Sequence, residues 1–395
     1  MNIFLYGGSF NPPHLGHREV VAALCGTLRP DRFLIIPDRI PPHKDMAADS
    51  PAPEERLSLC ELAFGSIPGV EISDIELNRE GKSYTYDTIC TLKQQYPNDE
   101  FTLVIGTDMF LSFEEWYRYC DLLSMTELLV LAREKDDDQA IEAHAASMRE
   151  RYGASITVFP HEPIPVCSAD IRAMLPKRRG RELLHDSVYS EIIRCGYYHA
   201  RPELCWLRGK AYPYLAPKRI AHVAGCESEA IRLAERWGED PEDAAEAAIL
   251  HDITKKLTHE EQLKLCEKYG IMCDKAERNT PKLLHAKTGA VLASVLFGVP
   301  DRIRDAIRWH TTGRPDMTLL EKIIYLADYI EPNRDFPGVG CLRALCYHDL
   351  DEGMELGLEM SLEEIRERGQ EPYIDTVLAS AWYQEIQTER KEQHA

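Results

Sequence analysis

The first half of the chain alternates short apolar runs with amphipathic stretches. Ile3–Tyr6, Arg32–Ile36, Leu103–Ile105, Glu127–Ala132 and Thr157–Phe159 read as short strands. Helical spacing lies between them, over His17–Leu28 and Glu54–Phe64. Strands alternating with helices predict a parallel sheet covered on both faces. From about Leu215 the strand signals stop, and alanine, leucine, glutamate and lysine dominate. Helices are predicted over Pro217–Trp237, Pro241–Lys256, His259–Tyr269, His285–Phe297, Asp301–His310, Leu319–Tyr329, Leu350–Arg368 and Ile374–Arg390. The first two open with proline, as helices often do. The pattern therefore predicts an α/β domain over residues 1–198, a linker over 199–213 and an all-α domain over 214–395. No internal repeat is visible. Asp136–Asp138 reads as a solvated loop.

Composition fits this division. A chain of 395 residues, 44% hydrophobic and 28% charged, is long enough for two globular cores. A formal net charge of −20 argues against nucleic acid or an acidic membrane as partner. It leaves open small phosphorylated substrates held by a few local groups. The 12 cysteines show no C-x-x-C pair, so reduced thiols in a cytoplasmic protein are expected. MNIFLYGGSF has no basic segment before its apolar run, unlike a signal peptide. Ala290–Val299, the longest apolar stretch, is too short to span a bilayer. Self-association into a homo-oligomer is left open.

Candidate chemistry begins right after the first strand. Gly7, Gly8, Ser9 and Phe10 lead through Asn11-Pro12-Pro13 to His14-Leu15-Gly16-His17. Glycines let a phosphate approach the backbone closely, and a helix N-terminus after a strand favours an anion. His14 and His17 are three apart, on one helix face toward that anion.

His14-Leu15-Gly16-His17 resembles the HxGH signature of a Rossmann-like nucleotidyltransferase superfamily. GGSFNPPHLGH is similar to its nicotinate-nucleotide adenylyltransferase branch. Four further segments follow in the same order: Pro37 with Pro41-Pro42-His43-Lys44, Ser73 to Thr88, Gly106-Thr107-Asp108 with Trp116-Tyr117, and Val166–Arg172. The resemblance implies transfer of an adenylyl group from ATP, with Mg²⁺, to nicotinate mononucleotide. His14, His17, Lys44 and Arg172 would then neutralise phosphate charge. Gly106, Asp108 and Ser168 would hold ATP, Trp116 would stack on the pyridine ring, and Thr85 would lie near its carboxylate. In VCSADIR, Cys167 and Ala169 stand where the family has serine and threonine, so weaker transfer is expected.

The helical half holds a second set of residues: His222, His251-Asp252, His285, His310 and Asp328. Imidazoles with carboxylates suit a borderline transition metal or a mixed pair of ions. Asp328 sits in the apolar stretch Ile323–Ile330, where a carboxylate needs a partner or a metal. His251-Asp252 follows the nearly apolar run Ala244–Leu250. Near a helix end both could reach one cleft.

The order H…HD…D resembles the HD superfamily of phosphohydrolases. LHDITKK, LLHAKTGA, WHTTGRPDM and YLADYIEPNRDF are similar to its symmetrical bis(5′-nucleosyl)-tetraphosphatase branch. The resemblance implies two divalent ions, with iron expected, and hydrolysis of the dinucleoside polyphosphate diadenosine tetraphosphate to two ADP. His222, His251, Asp252 and Asp328 would hold the first ion. His285 and His310 would hold the second, with Asp252 bridging. Lys255 would meet a phosphate or the leaving group, and Thr312, Gly313 and Arg334 would contact substrate. Alternatives stay open: another acceptor or a nucleotide-sensing module in the first half, and another nucleotide phosphohydrolase in the second.

Overall fold

The computed structural model describes residues 1–42, 45–132, 138–162 and 164–393. The chain forms two compact units, Met1–Arg201 and Pro202–Ala395. Among the described residues no helix is long and apolar enough to cross a membrane.

The first unit is a six-stranded, wholly parallel sheet. Its strands are β1 (Asn2–Gly8), β2 (Arg32–Pro37), β3 (Val70–Ile72), β4 (Glu100–Gly106), β5 (Glu127–Leu131) and β6 (Ile156–Phe159), in the order β3-β2-β1-β4-β5-β6. The interior of β1, β2, β4 and β5 is almost continuously buried, as a sheet covered on both faces requires. The helices are α1 (Leu15–Leu28), α2 (Pro53–Phe64), α3 (Thr85–Gln95), α4 (Thr107–Leu111), α5 (Tyr119–Met125), α6 (Asp138–Tyr152), α7 (Ser168–Met174) and α8 (Asp186–Cys195). Leu5, Leu34, Leu103 and Leu128 share one buried cluster with Ile89 and Leu122. Each such side chain contributes about 1.5–3 kcal/mol by leaving water. Strand order reverses between β1 and β4, and in open α/β sheets ligands bind beyond the strand ends at such a point. β3 was not predicted. Asp138, expected in a loop, opens α6, while Asp136 lies outside the described residues.

The second unit is helical throughout: α9 (Leu204–Ala211), α10 (Pro217–Trp237), α11 (Pro241–Leu250), α12 (His259–Tyr269), α13 (Lys275–Asn279), α14 (Pro281–Phe297), α15 (Asp301–Trp309), α16 (Leu319–Ile330), α17 (Val339–His348), α18 (Leu350–Glu367) and α19 (Ile374–Gln393). α9 falls within the expected linker, because Trp206, Leu207 and Ala211 have an apolar face to bury. α11 is buried from Asp243 to Leu250 and is the central helix, packed on α10, α15 and α16. The predicted helix Pro241–Lys256 ends earlier, at Leu250. Beyond it the backbone closes in short turns, with Ile253 N–H on Leu250 O and Lys255 N–H on Asp252 O. The central helix therefore delivers His251-Asp252 at its C-terminal end.

Candidate active sites

A cavity of about 1070 Å³ opens at the C-terminal ends of β1 and β4. Gly7, Gly8, Ser9 and Phe10 form its floor side, with Gly106 and Asp108 at the end of β4. His14 is the N-cap of α1, and its backbone N–H donates to His17 Nδ1 at 3.2 Å. That bond leaves the His17 proton on Nε2. The two rings stack with centroids 3.6 Å apart, and both line the cavity. Phe10 has φ 43°, in the left-handed region, and its ring packs edge-on against Phe64 and His17. Buried in this way, the ring braces the turn and one histidine from beneath.

Two residues that the sequence did not single out hold this turn. Arg56, 1% exposed, donates from Nη1 to Ser9 O at 2.6 Å and to Asp38 Oδ1 at 3.1 Å. Its Nη2 donates to Asp38 O at 2.6 Å, and Ser9 Oγ donates to Asp38 Oδ2 at 2.6 Å. Removing one partner of such a buried pair typically costs about 3–5 kcal/mol. From the other side, Ser168 Oγ donates to Pro12 O at 2.9 Å and Arg172 Nη1 to Asn11 O at 2.6 Å. Cys167 caps α7, accepting from Asp170 N–H at 3.4 Å and donating to Asp170 Oδ2 at 3.0 Å. A thiol thus caps α7.

Thr85, the first residue of α3, lines the same cavity with Trp116 and Tyr117. Trp116 lies on Phe113 and Tyr117 on Tyr84, each pair with centroids 4.9 Å apart. Glu76 is a further wall residue, and Thr88 Oγ1 donates to it at 2.7 Å. Burial pushes the Glu76 carboxyl up to about 7. Lys44 lies outside the described residues.

In the helical unit all six predicted metal-site residues meet in one place. Asp252 Oδ1 is 3.3 Å from His285 Nε2 and 3.9 Å from His310 Nε2. Its Oδ2 is 3.5 Å from His251 Nε2 and 3.8 Å from His222 Nε2. Asp328 Oδ1 is 3.1 Å from His222 Nε2. The opposite ring nitrogens face outward partners. His251, His285 and His310 place Nδ1 2.7, 2.6 and 2.7 Å from the carbonyls of Ala248, Lys282 and Ile307. His222 Nδ1 is 3.1 Å from Glu331 Oε1. His251, His285 and His310 thus have Nδ1–H anchored and the Nε2 lone pair turned inward, the arrangement that tunes imidazole as a metal ligand, while His222 lies between two carboxylates, Glu331 at Nδ1 and Asp328 at Nε2. Burial pushes His251 and His285 well below the usual histidine range and His310 down to about 3, which keeps them neutral. Burial opposes ionisation of Asp328, but the His222 hydrogen bond and nearby positive charge hold it well below the usual carboxylate range.

His251 Nε2 and Asp252 Oδ1 are buried without a hydrogen-bond partner. Such groups cost free energy unless something answers them, and a cation would. The donor set of imidazoles and carboxylates fits one or two borderline divalent ions. His222, Cys226, His251 and Asp328 form one group that could hold an ion, and His251, Asp252 and His310 another. Cationic side chains already crowd these carboxylates. Arg219 bonds Asp252, Arg334 Nη2 donates to Asp328 Oδ1 at 2.8 Å, and Lys255 Nζ lies 2.9 Å from His285 Nε2. Burial brings Lys255 down to about 8. Thr312 is buried, with its hydroxyl on Gly313 O. Its neighbour Thr311 faces the centre, 3.1 Å from His310 Nε2. Arg219, Cys226, Thr311 and Glu331 were not singled out from sequence. For Cys226 a signal existed, its place four residues after His222.

Residues 5–173 match the cytidylyltransferase-like family and residues 219–333 match the HD domain family. The chain is similar to a Bacillus subtilis protein named "Bis(5′-nucleosyl)-tetraphosphatase, symmetrical", with 42% identity over 169 residues, covering 42% of this chain and 90% of that one. It is also similar to a Fusobacterium nucleatum protein named "Probable nicotinate-nucleotide adenylyltransferase", with 36% identity over 198 residues, covering 50% of this chain and 99% of that one. A crystal structure from Clostridium acetobutylicum, described as a predicted HD superfamily hydrolase involved in NAD metabolism, aligns with 33% identity and a TM-score of 0.46, over 47% of this chain and 100% of that one.

Proposed function

Because the N-terminal half of the chain belongs to the cytidylyltransferase-like family, beside nicotinate-nucleotide adenylyltransferases, and the C-terminal half to the HD family, beside symmetrical bis(5′-nucleosyl)-tetraphosphatases, we propose that one chain carries both activities. The observation that carries this reading is that residues scattered along each half close on one cleft within that half.

In the first cleft a phosphate oxygen of nicotinate mononucleotide attacks the α-phosphorus of ATP. The bond to the β,γ-phosphates breaks, and pyrophosphate leaves with its electron pair. The protein contributes placement and charge neutralisation, since no covalent intermediate is needed. His17 donates from Nε2, with His14 stacked beside it. Lys44 and Arg172 add positive charge, and Ser168 holds the loop that presents both rings. Gly106 and Asp108 take the adenosine side, Trp116 the pyridine ring and Thr85 its carboxylate. Mg²⁺ brought with ATP would shield its phosphates.

In the second cleft water cleaves the central anhydride of diadenosine tetraphosphate, giving two ADP. Divalent ions bound there, iron expected, would supply a water of lowered pKa and neutralise phosphate oxygens. His222, His251, Asp252 and Asp328 would hold one ion, and His285 and His310 the other. The main chain and Glu331 orient the rings. Lys255, Arg219 and Arg334 border the centre and can meet polyphosphate oxygens.

The test uses the purified full chain. ATP with nicotinate mononucleotide should yield pyrophosphate and the deamido dinucleotide, and diadenosine tetraphosphate should yield ADP as sole product. ATP binding without pyrophosphate release would make the first half a sensor module. AMP with ATP as products would rule out symmetrical cleavage.

A further inference from the structure

The helical centre contains a donor that lies outside the H…HD…D pattern. Cys226 follows His222 by one turn of α10, so both project from one helix face. It is 1% exposed, and its Sγ is 3.5 Å from His222 Nε2. That thiol sulfur, the donor nitrogens of His222 and His251, and a carboxylate oxygen of Asp328 all lie within 4.8 Å of one another. An imidazole nitrogen at ~2.0 Å and a thiolate sulfur at ~2.3 Å from one ion stand roughly 3.5 Å apart at the tetrahedral angle. The observed separation already has that value.

A second observation points the same way. His251 Nε2 is fully buried and has no hydrogen-bond partner, although it belongs to the same four-residue group. Among the described residues no other cysteine joins such a group. Cys266 and Cys273, for example, face one another at 3.6 Å. The guanidinium groups of Arg219 and Arg334, bonded to Asp252 and Asp328, are placed to offset an added negative charge.

We propose that Cys226 is a thiolate ligand of the ion held by His222, His251 and Asp328, an inference that rests on the metal-dependent reading of this centre. A bound cation deprotonates a coordinating thiol outright. One soft sulfur among nitrogens and oxygens biases the site away from magnesium, calcium and manganese, toward zinc, cobalt and iron(II). This ion would then differ from the second, since the other group of possible ligands, His251, Asp252 and His310, contains no sulfur.

The test is spectroscopic. The full chain, stripped of metal and reloaded with Co²⁺, should show a near-ultraviolet sulfur-to-cobalt charge-transfer band. X-ray absorption of the same sample should place a sulfur at about 2.3 Å from cobalt. Cys226→Ser should still bind Co²⁺ but lose the band. Its affinity should fall by at least the roughly 10–100-fold seen when outer-shell partners are removed. Cys266→Ser should keep both band and affinity. Co²⁺ bound by the unaltered chain with no sulfur neighbour would overturn the role of Cys226 and leave the metal centre standing. Failure of the unaltered chain to bind Co²⁺ at all would overturn both. The X-ray measurement needs no variant, so misfolding of Cys226→Ser cannot hide the answer.

Discussion

The two clefts are built in opposite ways. The sheet-end cleft is tied together mostly by its own chain: Arg56, Asp38 and Ser9 hydrogen-bond one another, with only the Arg56 Nε of that trio buried unbonded, and Ser168 and Arg172 bond the carbonyls of the histidine loop. The helical centre is not finished by its chain. It packs imidazoles around two carboxylates and leaves His251 Nε2 and Asp252 Oδ1 buried without hydrogen bonds. The first cleft is preorganised by polypeptide alone, while the second is a set of donors whose cost makes sense only with cations present. Metal dependence should therefore differ in kind between them. Mg²⁺ would be needed by the first only as a companion of ATP, and divalent ions by the second as part of its build.

The sharpest way to break this contrast is Asp252→Ala. It removes the carboxylate that all four imidazoles approach, so hydrolysis should fall on the order of 10³-fold, with adenylyl transfer unchanged. Loss of both activities in a properly folded variant would mean that the clefts are not independent. His17→Ala should do the reverse. Losing one donor to a charged transition state lowers kcat by about 10²–10³-fold, and steady-state pyrophosphate release measures it. Glu331→Gln is subtler. It weakens the outer partner of His222, so affinity for the ion should drop about 10–100-fold while transfer is untouched. Equal metal affinity in the variant would show that the His222 ring is oriented by packing instead.

The smallest expected effect concerns Glu76. Its carboxyl stands at about 7 against an ordinary 4.5. A raised folded value means that the proton's contribution to stability is complete below about pH 4.5 and is lost as pH rises through 7, with a ceiling of about 3 kcal/mol. Glu76→Gln keeps an acceptor for Thr88 and removes the titration. The thermal transition of the first unit should therefore match wild type at pH 5 and lie above it at pH 8. Identical pH dependence in the two proteins would contradict a buried, titrating Glu76.

What could be read in advance had periodic or motif character. The strands β1, β2, β4, β5 and β6 announce themselves because a doubly covered sheet needs unbroken apolar runs. β3 is three residues, Val-Glu-Ile, at an edge, too short for any period to register. The end of α11 at Leu250 was invisible because the turns after it keep the apolar spacing of a helix. Arg56 shows a different limit. Arginine at the start of a helix reads as solvated, and only the tertiary fold turns it inward onto Asp38. Thr311 and Thr312 are adjacent and alike, and backbone direction alone decides which hydroxyl meets the imidazoles.

The anchoring of His251, His285 and His310 has a consequence for how such a centre can change. Each ring is aimed by a carbonyl three residues earlier in its own segment. Main-chain oxygens survive every ordinary point substitution. The aim of these three donors is therefore insulated from drift in the surrounding side chains. Arg219, Lys255, Thr311 and Arg334, which meet the centre through their side chains, have no such protection. Variation should accumulate in what the pocket grips, while the geometry of its chemistry stays put.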